Sequence, residues 1–145
     1  DLNSLPLYSP DLESQGYPTA VVYFRRAVEE ADAVVIASPE YKNSMPAVLK
    51  NAIEWASRRP SVLNDRVFLI MGASPGRSGG SRMHMHTAYS LESEGAWVIP
   101  RPRVLLPNIQ DVLTLEGVLI DESIGELLEQ AIARTLETAV KLKTA

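Results

Sequence analysis

The chain has 145 residues, of which 46% are hydrophobic and 22% charged, a composition that gives one domain with a real core and argues against disorder. Its net charge of −4 and pI near 5.2 speak against a nucleic-acid-binding surface, and the absence of cysteine rules out disulfides, thiolate chemistry and iron–sulfur ligation. No apolar run approaches the roughly 20 residues that cross a bilayer and no signal peptide is visible, so we expect a cytoplasmic protein with neither a membrane nor a nucleic-acid partner.

The chain opens on Asp1 rather than Met and directly on loop-like residues, from which we expect a fragment or a processed product. Pro6, Pro10 and Pro18 punctuate the first 18 residues as loop, with Leu5, Leu7 and Tyr8 as an apolar anchor. Pro18 suits the first position of a helix running to about Glu30, with Val21, Phe24, Arg25 and Val28 on one face. Asp32–Ser38 is apolar without alternation, the pattern of a parallel strand covered on both faces. From Pro46 to about Ser57 a second helix shows a stripe of Val48, Leu49, Ala52, Ile53 and Ala56, with Trp55 at its flank, half-buried or facing a partner subunit.

Val67–Met71 reads as a second buried strand, followed by a Gly-rich loop, Gly72–Gly80, and a helix to about Glu94. On that helix Met83, Thr87, Ala88 and Leu91 should face the sheet, while Arg82, Met85, His86 and Tyr89 form a second stripe, facing solvent or a neighbouring subunit. Gly95 ends the helix. Trp97–Ile99 begins a third strand that Pro100 and Pro102 interrupt and that resumes at Val104–Leu106, a pattern tolerated at a sheet edge. The last helix is capped by Asp121 and buries Ile124, Leu127, Leu128, Ala131, Ile132, Leu136, Ala139 and Val140, with acidic residues near its start and Lys141 and Lys143 near its end. Strands alternating with helices over residues 1–145 give a single α/β domain with a doubly wound parallel sheet.

In such sheets ligands bind in the crevice beyond the carboxyl ends of the strands, which places a site at Ser38–Pro46 and Gly72–Gly80. The second loop departs from a nucleotide-triphosphate loop: the spacing from Gly72 to Gly76 is one residue short and Arg77 stands where Lys belongs. A purely turn-forming role for its glycines is the plainer alternative. Glu40 has no paired acid and reads as a positioning carboxylate. His84 and His86, two residues apart, do not have metal-ligand spacing and read as helix-surface or interface residues, and no serine sits in a nucleophile elbow. Arg58 and Arg59 read as a solvated helix end, or as receivers of a cofactor phosphate.

The stretches Ser38–Ser57 and Gly72–Gly80, together with Leu5–Tyr8 and the Gly95–Ala96 junction, resemble the NADPH-dependent FMN reductase family, with its flavodoxin-like fold and its chromate, quinone and azo-dye reductases. The resemblance covers essentially the whole chain. It implies that Pro39, Glu40, Tyr41 and Lys42 lie against the flavin ring and that Ala73, Ser74, Gly76, Arg77, Ser78, Gly79 and Gly80 meet its polar edge. It further implies FMN and NAD(P)H as cofactors, a small-molecule electron acceptor such as a flavin or quinone, no catalytic acid, base or nucleophile, no metal, and a homodimer or homotetramer, for which Trp55, Met85 and Tyr89 are the expected interface residues. Two features depart from the family. Lys42 replaces a frequent Asn, and a lysine there would stabilise the anionic reduced flavin. The family's opening strand, in the middle of its sheet, and the Gly-Ser-rich loop that cradles the FMN phosphate have no counterpart, so the domain is expected to be N-terminally incomplete, with a gap in its sheet. A non-catalytic flavodoxin-like subunit unable to hold the FMN phosphate, and a phosphate-ester binder using the Gly-rich loop, are the alternatives.

Overall fold

Val67–Ala73 (β2) is the strand on which the sheet is built. Val67 and Leu69 enter one apolar cluster and Phe68 and Ile70 another, none more than 2% exposed, because helices cover both faces of a central parallel strand. The computed structural model describes residues 1–144. Val34–Pro39 (β1) pairs in parallel with one edge of β2, from Val34 opposite Phe68 to Pro39 opposite Ala73. Trp97–Val98 (β3) and Val104–Leu106 (β4) pair in parallel with its other edge, Val67 lying opposite Trp97 and Met71 opposite Val104. The break between them falls on Pro100 and Pro102, which cannot donate to a ladder, and an edge is where such a break is tolerated.

Helices and short 3-10 turns frame this sheet in three layers. A short helix (α1, Pro10–Ser14) follows the N-terminal loop, and Thr19–Glu30 (α2) packs against Ala47–Ala56 (α3). With Ser81–Glu92 (α4), α3 covers one face around Leu49, Ile53, Phe68, Ile70, Met83 and Leu91. The long helix Glu122–Lys143 (α5) covers the other, mainly over β2 and β4. Asp121 caps α5 by accepting the Ser123 N–H at 2.9 Å. A 3-10 turn at Ile109–Asp111 precedes that helix.

A third apolar cluster holds the N-terminal arm. Trp55 is fully buried: its Nε1–H donates to the Pro6 carbonyl at 2.8 Å, and the Tyr8 and Tyr17 rings stand edge-on to it at 5.1 and 6.1 Å. Asn51 clamps the same arm, accepting from the Tyr8 N–H and donating to Pro6. Trp55 is therefore a core residue of this chain and not the interface residue its flank position suggested. Arg25, buried and without a carboxylate partner among the described residues, donates to the carbonyls of Trp55, Ala56 and Pro60, so its charge sits on the carboxyl end of α3, where the helix dipole favours a cation.

Four other expectations are corrected. β1 is not covered on both faces: Val35, in its middle, is 51% exposed, and its outer edge is unpaired. The sheet has no internal gap among the described residues, since β1 and β2 are in register along the whole of β1; what is open is the β1 edge, bordered by an apolar groove of about 420 Å³ lined by Phe24, Val28, Ile36, Leu49 and Ile53 among others. On α5 the buried line is Ala131, Thr135 and Ala139, small side chains that let the helix approach the sheet closely, while Ile132, Leu136 and Val140 stay outside. Val48 on α3 is likewise exposed.

The packing of Trp55 sets a direct expectation. Trp55→Ala should cost about 3–5 kcal/mol of stability by urea denaturation and leave the solution mass unchanged; a change in mass with little loss of stability would mean that the indole serves an interface.

Candidate functional site

The loop after β1 ends in a tight hairpin. Tyr41 and Ser44 exchange backbone hydrogen bonds of 2.9 and 3.0 Å, and the two residues between them, Lys42 (φ 49°) and Asn43 (φ 62°), are both left-handed. That is the geometry of a type I′ turn. It explains in physical terms why Asn suits position 42, since its short polar side chain tolerates this conformation, and why a lysine there is strained. The turn projects Tyr41, 62% exposed, and Lys42 into solvent at the rim of the sheet. Ser44 Oγ meets His86 Nδ1 at 2.9 Å, tying the hairpin to α4.

The loop after β2 is brought against it by Glu40. One carboxylate oxygen accepts the backbone N–H of Arg82 at 2.9 Å and of Met83 at 3.2 Å; the other accepts from the Ser78 hydroxyl at 3.2 Å and lies 3.6 Å from the Arg82 guanidinium. The N-cap position of α4, Gly80, has no side chain of its own to offer, so a carboxylate from the neighbouring loop supplies the cap. The Glu40 side chain is only 8% exposed. Burial pushes its carboxyl up, but the Met83, Arg82 and Ser78 hydrogen bonds and the Arg82 charge outweigh that and hold it below the ordinary carboxylate value.

The predicted residues divide into two groups. Pro39, Tyr41, Lys42, Gly76 and Arg77 are exposed on one rim, with Glu40, Ala73 and Ser78 partly covered beneath them. Ser74, Gly79 and Gly80 are buried and shape the loop rather than present a surface. Ser74 donates to the Gly76 carbonyl, and its own N–H reaches Leu106 at 3.1 Å. A Cβ on Gly79 would stand 3.0 Å from Pro107 N and one on Gly80 3.1 Å from Gly72 Cα, so both glycines are there for close backbone approach. The turn at Asn108–Ile109, which sequence reasoning passed over, supports the loop from below, its N–H groups reaching Gly76 and Ser74; the Pro107-Asn108 pair was its signal. The Ser44–His86 contact had none, because it joins residues 42 apart.

Several alternatives close. The N–H groups at the start of α4, which a nucleotide-triphosphate loop would turn to phosphate, are already taken by Glu40. His84 is buried at 4%, not on the surface, and burial followed by the Arg103 charge holds it below the ordinary histidine value; no metal-binding cluster occurs among the described residues. Arg58 is spent internally: it donates to Glu54 O, Tyr8 Oη and Ser57 Oγ at 3.0 Å each, and its guanidinium lies 4.7 Å from the Tyr8 ring centroid. Tyr41, Gly76 and Arg77 are left exposed at this edge of the sheet. A glycine- and serine-rich turn for a phosphate is not found beside the outer edge of β1 among the described residues.

Glu40→Ala should cost about 1–2 kcal/mol as a lost cap. The folded pKa of Glu40 lies below that of the unfolded chain, near 4.3. Its stabilising contribution is therefore complete above the unfolded value and is lost as pH falls through the folded one. Urea midpoints measured from about pH 3 to 6 should fall with acid in the parent and more shallowly in Glu40→Gln; parallel profiles would count against the cap.

Comparison with known proteins identifies the family. A family model described as NADPH-dependent FMN reductase matches residues 1–111. The chain is 38% identical over 133 residues to an NAD(P)H-dependent FMN reductase of Pseudomonas aeruginosa, covering 91% of this chain and 72% of that protein. It is 37% identical over 150 residues to an NAD(P)H:quinone oxidoreductase of Solanum tuberosum, covering 99% and 75%. Among solved structures, the flavoenzyme NAD(P)H:(acceptor) oxidoreductase FerB of Paracoccus denitrificans superposes with a TM-score of 0.86 at 25% identity, over 97% of this chain and 78% of that one. With its parallel sheet, its paired rim loops and these relatives, the chain belongs to the NADPH-dependent FMN reductase family.

Proposed function

We propose that the rim formed by Pro39–Lys42 and Ala73–Ser78 holds the isoalloxazine ring of FMN and that the chain passes reducing equivalents from NAD(P)H to a flavin or quinone acceptor. The family makes the protein an NAD(P)H-dependent oxidoreductase with FMN as its cofactor. The observation that carries the assignment of the rim is the Glu40 bridge, which fixes two loops from adjacent parallel strands at one edge. When bound, the flavin supplies the hydride chemistry itself. The chain's residues orient it: the backbone around Gly76 and Arg77 offers hydrogen bonds to its polar edge, Tyr41 walls one side, and Glu40 keeps the loops from separating.

Lys42 adds a charge to this positioning. A left-handed lysine at the rim places a cation where negative charge develops on reduction, and the strain of its conformation is of the kind that accumulates at functional sites. No helix among the described residues is long and apolar enough to cross a membrane. The exposed α4 stripe of Met85 (56%) and Tyr89 (76%), with Arg82 and His86, is the face we assign to homo-oligomer contact. It borders a hollow of about 520 Å³ shared with Ser44, Met45 and Lys50. The alternative is a non-catalytic flavodoxin-like subunit that does not hold the FMN phosphate.

Reconstitution with FMN separates the two readings. Stopped-flow mixing with NAD(P)H alone should bleach the flavin band, and quinone added afterwards should restore it, giving parallel double-reciprocal lines; protein that stays colourless after FMN addition would support the non-catalytic reading. In the same preparation Lys42→Asn should lower the flavin midpoint potential while raising fold stability by up to about 1 kcal/mol. An unchanged potential would remove the charge role.

A further inference from the structure

Arg101 and Arg103 flank Pro102 in the interrupted edge between β3 and β4, and together with Arg134 of α5 they line a concavity of about 630 Å³. Among the described residues neither Arg101 nor Arg103 has an acidic partner. Arg134 is paired only with Glu137, at 3.7 Å with both side chains more than half exposed, a contact worth little against solvent. Three arginines thus line one hollow on a chain of net charge −4. Like charges are gathered at a cost unless an anion joins them, and the planar fork of arginine matches phosphate oxygens two at a time.

The hollow is connected to the rim by β4. Leu106 O accepts the Ser74 N–H at 3.1 Å, within the second rim loop. Arg103 precedes Leu106 by three residues, about 10 Å at the rise of a strand, and Arg101 lies roughly two residues further. A dinucleotide with its nicotinamide at the rim and its adenosine end laid along this edge would bring a phosphate to the arginines. Arg58 and Arg59 are poorer candidates for that phosphate, since the Arg58 donors are consumed by Glu54, Ser57 and Tyr8.

We propose that Arg101, Arg103 and Arg134 form an anion subsite that receives the 2′-phosphate of NADPH and so make this chain prefer NADPH to NADH. The inference rests on NAD(P)H being the reductant. On an acidic protein the same patch would also steer an anionic reductant toward this side of the molecule.

Calorimetric titration of the full chain with adenosine 2′,5′-bisphosphate and with adenosine 5′-monophosphate needs no flavin and tests the subsite directly. The bisphosphate should bind at least about tenfold more tightly. The R101A/R103A variant should lose that difference, and R101K/R103K, which keeps the charge and the fold, should retain only part of it. In the FMN-loaded enzyme, R101A/R103A should raise KM for NADPH by about tenfold or more, leaving kcat and the NADH constants unchanged. Equal affinity for the two nucleotides, or equal changes with both reductants, would overturn the proposal while leaving the flavin function standing. Selective bisphosphate binding in a protein that never takes up flavin would do the reverse.

Discussion

A single carboxylate holds the candidate site together. Glu40 leaves the end of β1, crosses to the neighbouring loop and satisfies the free N–H groups at the start of α4. Those groups need a partner: Gly80, required to be glycine by its close approach to Gly72, has no side chain with which to cap the helix. The same residue therefore does two things that are usually separate. It completes a helix, and in doing so it sets the distance between two loops whose outer surfaces form the rim. Because the bond is made to backbone, the spacing does not depend on the rotamer of any exposed side chain.

The opposite arrangement anchors the other end of this layer. Arg25 of α2 lays its charge on the carboxyl end of α3, and Trp55 and Asn51 of α3 grip the N-terminal arm. An acid at the start of α4 and a base at the end of α3 each act with the local helix dipole, so the two helices beneath the rim are held by groups distant in sequence. Against this rigid floor the hairpin at Lys42 and Asn43 is the strained element. Its two left-handed residues are stabilised by the Tyr41–Ser44 backbone pair and by the Ser44–His86 contact. Strain over a firm base is what is expected where a loop must meet a ligand in one conformation.

Much of this was legible in the residues because it is local. The apolar run of β2, the proline-broken edge strand, the Asp121 cap and the turn at Gly95 all depend on near neighbours, and each lies where its sequence signal placed it. What could not be read was set by distant partners. Trp55 looked like a flank residue because helical periodicity cannot register that Pro6, Tyr8 and Tyr17 fold over it. The α5 stripe of Ile132, Leu136 and Val140 looked buried because large apolar residues weigh more in a periodic pattern than Ala131, Thr135 and Ala139, the small ones that touch the sheet. The resemblance marked both loops but did not sort their residues: Ser74, Gly79 and Gly80 are the folded interior of a loop whose exterior is Gly76 and Arg77. β1 misled for a related reason, since an apolar strand declares what it can bury and not whether its outer neighbour is there.

If the rim holds the flavin as proposed, it should take a flat redox ring independently of any grip on the FMN phosphate. Lumiflavin, the ring without its ribityl phosphate, tests this by backbone-amide NMR titration of the full chain. Saturable shifts are expected to concentrate at Tyr41, Lys42, Gly76 and Arg77, with the Arg82 and Met83 amides following through Glu40. Shifts confined to the groove beside β1, or none at saturating ligand, would contradict it.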